Sequence, residues 1–149
     1  MQEPIENLKI RLASVGNPVI HVPVSDQISG RLLPDDLRIL YNVSVEVNRP
    51  NSRVSIDVSL TYIARQLTLF SGSLTTAFDV VDLASYITEE EGKDQFRIEN
   101  DFLPMLIGIA FSTTRGYFVR ELQESDLAPY PFPMIPMDSV QKRTTYQLI

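Results

Sequence analysis

The stretch YNVSVEVNRPNSRVSIDVSLTY, residues 41–62, decides the fold of this chain. Apolar and polar residues alternate in its first part, 41–48, and again in 53–62, where Val54, Ile56, Val58, Leu60 and Tyr62 are the apolar members. A period of two is typical of a strand with one buried and one wet face. The segment NRPNS between the two parts has turn chemistry. The stretch therefore predicts an antiparallel hairpin with one buried face.

Extended segments are expected on both sides of this hairpin. Residues 66–81 are rich in Leu, Thr, Phe and Val and predict the next antiparallel strand, in which Gly72 indicates a bulge or a close approach. Residues 5–24 also read as extended, with Pro18 and Pro23 bracketing an apolar run. Proline removes a ladder donor, so this first piece fits an edge strand or a broken strand. Residues 25–36 predict a crossing loop.

A helix is predicted from Phe102 to Thr114, a run without any charged residue. Asn100 or Asp101 can cap it, and Pro104 is tolerated in a first turn. A helix that packs on a sheet with its other side in solvent shows a single apolar stripe. This run, in contrast, is apolar on nearly every side. We therefore expect it to be buried on two sides, with the sheet covering only one of them.

Small residues recur along this helix at Gly108, Ser112 and Gly116, four positions apart. Such residues let another backbone approach closely, because ridges at four-residue spacing are a common packing mode. Two alternatives remain open: the edge packs on the chain's own sheet, or it contacts the helix of a second copy. We expect an oligomer, a dimer or a tetramer, with the helices sandwiched between sheets.

The composition limits the classes of function. The chain has 149 residues, of which 44% are hydrophobic and 21% charged, and we expect a single domain over 1–149. A net charge of −6 is a poor basis for binding nucleic acid. The N-terminal MQEPIENLKI lacks a signal pattern, and no apolar run reaches the roughly 18 residues of a membrane span. We expect a cytoplasmic protein without membrane insertion.

Residues that carry catalytic chemistry are sparse. The chain has no cysteine, and His21 is its single histidine, in an apolar context that favours a packed or surface residue. No phosphate loop, dinucleotide fingerprint or nucleophile elbow is present. The acidic group at 89–94 lacks the spacing of a calcium loop, which favours a solvated loop. We expect no catalytic residue, metal or cofactor. A hotdog-type enzyme would place an acid or histidine on the buried helix, which offers none.

The segment APYPFPMIPM, residues 128–137, combines four prolines with aromatic and methionine side chains. The prolines restrict the backbone to extended shapes. The apolar side chains either close the end of the core or line a groove, since methionine and aromatic surfaces adapt to many apolar sequences.

The helix and this loop together resemble the SecB family of export chaperones. The resemblance is carried by LPMLIGIAFSTTRG, 103–116, and FVRELQESDLAPYPFPMIPMDSV, 118–140, with Arg115–Gly116 toward the helix end. It implies a four-stranded antiparallel sheet packed on one long helix, a dimer of dimers, and ATP-independent holding of unfolded polypeptide in apolar grooves. The groove would lie near 20–33 and 128–137, and the implied peptide-binding residues are Ile20, Val22, Tyr130, Phe132, Met134 and Ile135.

The end of the chain departs from this family. Only residues 138–149 follow the loop, and QKRTTYQLI is basic and partly β-like, which disfavours a full second helix. Two functions are therefore carried forward. One is a SecB-like chaperone that binds unfolded or apolar segments, and the other is a non-catalytic structural adaptor that buries the same apolar loop in an assembly.

Overall fold

The computed structural model of the chain describes residues 9–23, 37–89, 96–98, 102–123, 125, 127–128 and 135–149. The crossing loop expected at 25–36 and the cap expected at Asn100 or Asp101 lie outside these residues. The elements are β1 (Ile10–Val15), β2 (Val19–Val22), β3 (Leu37–Asn48), β4 (Arg53–Ala64), β5 (Leu67–Val80), a 3-10 helix (Leu83–Tyr86), β6 (Ile87–Glu89), β7 (Phe96–Ile98), α1 (Phe102–Leu122), α2 (Met137–Lys142) and β8 (Thr144–Leu148).

The predicted hairpin forms the centre of the main sheet. β3 and β4 pair antiparallel without a register shift, from Leu37 opposite Ala64 to Asn48 opposite Arg53. β5 pairs with the other side of β4, again antiparallel. The alternating residues of β4 are buried from Val54 to Ala64, as the period of two requires. The predicted α+β architecture, in which a sheet packs on one long helix, is confirmed.

The first strand is broken, as the prolines indicate. β1 and β2 both pair antiparallel with β5, and residues 16–18 lie between them. Gly16 still donates its amide to the carbonyl of Thr75 at 2.8 Å. The two strands therefore form one interrupted edge of the sheet.

Within the described residues the main sheet has six strands, two more than the four expected, because the first strand is split into β1 and β2 and because β8 is added. β8 pairs parallel with β3, from Thr144 opposite Val43 to Leu148 opposite Val47, and forms the other edge. The partly β-like end of the chain predicted an extended segment but gave no partner for it. A short helix, α2, precedes β8, and its Val140 is buried.

The acidic group at 89–94 was expected in a solvated loop, but Glu89, its described member, is instead the last residue of the strand β6. β6 and β7 pair antiparallel from Ile87 opposite Ile98 to Glu89 opposite Phe96. Glu89 also forms an ion pair with Arg49. The three-residue strands are too short to give a period-two signal in so charged a context.

α1 runs past the predicted uncharged stretch and packs one side on the sheet. Nine of its residues are buried: Phe102, Leu103, Leu106, Ile107, Ala110, Phe111, Thr114, Phe118 and Leu122. The rings of Phe111 and Tyr41 meet edge to face at 5.6 Å, and those of Phe118 and Phe70 at 5.4 Å. By length and composition α1 could cross a membrane, a property that it shares with core helices of this kind.

Gly72 is a position on β5 where an aromatic ring of α1 leaves no room for a side chain. A Cβ at this position would lie 2.7 Å from the ring of Phe118. This distance is well inside van der Waals contact, so the prediction of a close approach at Gly72 is confirmed. This contact also identifies the face of β5 that packs against α1. That face carries Gly72, Leu74, Thr76 and Phe78.

Candidate polypeptide-binding surface

The two β2 residues predicted to bind peptide lie on opposite faces of the sheet. Ile20 pairs with Gly72, on the helix side, and Val22 pairs with Ser71. Ser71 belongs to the outer face, where its hydroxyl lies 3.1 Å from that of Thr61. A register shift between Ile20 and Val22 causes the change of face. Their spacing of two residues predicts that both side chains lie on one face of the sheet. The structure instead places them on opposite faces.

Of the four residues of the proline-rich loop that were predicted to bind peptide, the structure describes one, Ile135. Ile135 is partly buried and packs against the hydrophobic core. For this residue the structure favours the alternative in which the loop closes the core. Tyr130, Phe132 and Met134 lie outside the described residues.

An uncovered apolar strip runs along the helix side of the interrupted edge. It consists of Leu12, Val15 and Ile20, and we call it the edge strip. Leu12 is 55% exposed and Ile20 39% exposed, although both pair with buried residues of β5. The sheet thus extends its apolar side one strand further than α1 covers it. Sequence reasoning missed Leu12 and Val15, because edge position, not residue type, exposes them.

A second apolar surface lies on the side of α1 that faces away from the sheet. Met105, Ile109 and Val119 are exposed there, with Met105 at 52%. Ser112 and Gly116 are exposed as well, and Gly108 is half-buried. We call these six residues the outer stripe. A Cβ at Gly116 would meet nothing within 4 Å. Packing of Ser112 and Gly116 on the chain's own sheet is therefore wrong, and the expected second covered side of α1 is bare in the single chain.

An ion-pair cluster holds the N-terminal end of β1 on the sheet. The Nε groups of Arg11 and Arg53 donate to the two carboxylate oxygens of Asp79, at 3.2 and 3.1 Å. The hydrogen bond from Arg53, followed by that from Arg11, lowers the pKa of Asp79 below its ordinary value. The cluster joins β1, β5 and β4 on the outer face. It orients β1 and leaves the edge strip on the opposite side of the sheet.

His21 joins β2 to β5. Its Nε2 lies 3.1 Å from the hydroxyl of Ser73, which is nearly buried. In a catalytic triad, a serine nucleophile is hydrogen-bonded to a histidine base, and a third group orients that base. Among the residues that the structure describes, no carboxylate is hydrogen-bonded to His21. The pair works as a cross-strand contact.

The described part of the chain shows no cluster of metal ligands. In those residues no three His, Asp or Glu side chains come close enough to hold a metal ion. Of the acidic group at 89–94, Glu89 is described and is paired with Arg49, and Glu90, Glu91 and Asp94 lie outside. What the surface offers chemically is apolar contact area beside an open strand edge.

Comparison with known proteins gives a distant likeness among solved structures. No protein-family model and no curated protein matches the sequence. Among solved structures, the Mycobacterium tuberculosis Rv1957 SecB-like chaperone, in complex with a ChAD peptide from the Rv1956 HigA1 antitoxin, is similar with a TM-score of 0.41 and 13% identity. The similarity covers 85% of this chain and 87% of that chain. It is too distant to assign a role to any residue.

Proposed function

We propose that this protein is a non-catalytic, ATP-independent chaperone that holds unfolded or extended apolar segments of other polypeptides. The observation that carries the proposal is the edge strip. Apolar side chains at Leu12, Val15 and Ile20 are exposed on strands that, in the described part of the chain, pair with β5 on one side only. An extended segment can add to such an edge through main-chain hydrogen bonds while its side chains contact the strip.

The edge strip is better suited to transient binding of a polypeptide than to a permanent interface. Pro18 interrupts the edge, and Pro23 follows β2, so that a long ladder cannot form. Short ladders and a few apolar contacts give weak binding without sequence specificity, which is what a holding chaperone requires. Tyr130, Phe132 and Met134 remain the proposed additional contacts from the proline-rich loop.

The test is suppression of aggregation of a denatured model protein during refolding, followed by light scattering. The double variant Leu12→Ser/Ile20→Ser should lose most of this capture, since each lost side chain removes about 1–2 kcal/mol of apolar contact. The matched control is Leu67→Ser, because Leu67 is 66% exposed at the β4–β5 turn, away from the strip. Equal capture by the double variant and the control contradicts the proposal.

The outer stripe supports a second candidate function, a structural adaptor. Exposed apolar residues on a helix mark contact sites for other proteins or other copies. In that case the apolar surfaces are permanently covered in an assembly. A stable oligomer without any effect on aggregation favours the adaptor, and an oligomer that suppresses aggregation at near-stoichiometric ratios favours the chaperone.

A further inference from the structure

The two edges of the main sheet are protected very differently. The β1–β2 edge carries a proline, two register shifts and the charged Arg11, devices that discourage pairing between sheets. The β8 edge, Thr144–Leu148, has no proline, no charge and no register shift against β3. Uncharged segments with β-branched and aromatic residues pair readily when an edge leaves them open. The β8 edge is thus the one suited to regular strand pairing.

The backbone of β8 has groups that point to this open edge. Ile149 donates its amide to the carbonyl of Val47 at 2.8 Å, and its own carbonyl accepts from the amide of Arg49 at 3.1 Å. Because successive residues of a strand direct these groups to opposite sides, Thr144, Tyr146 and Leu148 direct theirs away from β3. In the described part of the chain β8 pairs only with β3.

We propose that β8 pairs antiparallel with β8 of a second copy of this chain, about a twofold axis at Tyr146. In this register Tyr146 lies opposite the partner's Tyr146, and Thr144 lies opposite the partner's Leu148. It is the register that pairs all five residues of the strand and lets every outward-pointing main-chain group find a counterpart. The two main sheets then become one continuous sheet.

The side chains of β8 are compatible with pairing to themselves. Tyr146 is 44% exposed and contacts Phe96 edge to face at 6.5 Å. Pairing covers the remaining tyrosine surface with the same side chain of the other copy, and aromatic pairs across strands are favourable. Thr145 lies on the outer face, where its hydroxyl is 3.1 Å from that of Ser44. No like charges meet anywhere along the ladder, although the whole chain carries a net charge of −6.

A second copy fits this edge better than an apolar client does. Thr144, Thr145 and Gln147 are polar, whereas the apolar side chains that suit a client lie on the edge strip at the other edge. A ladder of five residues buries less than the roughly 1,000 Å² of a stable interface, so the pairing is weak and depends on concentration. It leaves the edge strip free and does not depend on the proposed chaperone function.

Cross-linking through single cysteines tests the pairing, because the chain has no cysteine of its own. Tyr146→Cys places two thiols on directly opposite residues, within the Cα range of a disulfide, about 4.4–6.8 Å. It should form covalent dimers under mild oxidation. Thr144→Cys, the matched control, should not, because four residues along a strand separate the two copies by about 13 Å. An equimolar mixture of Thr144→Cys and Leu148→Cys should cross-link again.

Three results overturn the proposal: no dimer with Tyr146→Cys, equal yields at 144 and 146, or no cross-link in the mixture. A monomeric Tyr146→Cys that instead couples to a cysteine-containing apolar peptide shows that the edge takes a client. A second pair of variants guards against loss of folding. Tyr146→Glu and Tyr146→Lys should each lose self-association and regain it when mixed, with unchanged circular dichroism. Association of either variant alone at the wild-type level contradicts pairing at Tyr146.

Discussion

At the scale of single residues, two glycines of this chain have opposite surroundings. A Cβ at Gly72 would lie 2.7 Å from the Phe118 ring and 3.2 Å from the Phe70 ring, whereas one at Gly116 would lie in open space. The first glycine is needed for packing inside the chain. The second is not, so any need for a small residue at Gly116 must come from something outside the chain.

Alanine at each glycine should separate these roles. Gly72→Ala should lower the free energy of unfolding by about 1–3 kcal/mol, because two aromatic rings must move. Gly116→Ala should raise it by up to about 1 kcal/mol, because alanine favours the helix. Urea unfolding of both variants measures the difference. A neutral Gly72→Ala shows that the rings yield without cost and contradicts the tight contact between α1 and β5.

At the scale of elements, the attachment of β1 should depend on pH through Asp79. The pKa of this carboxyl is lowered from 3.8, chiefly by Arg53 and then by Arg11. A lowered folded-state pKa gives stability that is present above 3.8 and is lost as the pH falls through the folded-state value. Amide exchange in β1 should therefore accelerate below about pH 4 relative to that in β4, after correction for intrinsic rates.

The matched variant is Asp79→Asn, which keeps the shape and removes the charge. Its β1 amides should be less protected than those of the wild type at neutral pH and should show a weaker acid dependence. If the wild type and the variant respond alike to acid, another group governs the attachment of β1.

The sequence predicts those elements that impose a period over many residues. β3 and β4 are twelve residues each with one buried face, so their pairing follows from their pattern. β8 has five residues and β6 three, too few to reveal a partner. The exposed edge strip depends on where α1 stops covering the sheet, which is a property of packing. Val22 and Ile20 separate because of a register shift, which no spacing in the sequence announces.

At the scale of the whole molecule, the edge strip and the outer stripe are two apolar surfaces that remain exposed in the described part of the single chain. Soluble proteins seldom expose large continuous apolar patches unless these contact something. The absence of charge over residues 102–114 of α1 is explained on one side by the sheet. On the other side the sheet does not explain it, and the oligomer expected from the sequence remains a prediction.

A charged outer stripe should therefore change the assembly without unfolding the chain. Met105→Lys/Ile109→Lys introduces two positive charges at exposed positions, so the melting temperature should stay within a few degrees of the wild type. The mass from light scattering should fall to that of a smaller species, because burying two unpaired charges in an interface is costly. Leu67→Lys, at a residue that is even more exposed and lies outside the outer stripe, should keep the wild-type mass. An unchanged mass in the double variant shows that the outer stripe is not an interface between copies. If client capture then falls while the mass stays the same, the stripe contacts the client, and the polypeptide-binding surface extends from the sheet edge onto α1.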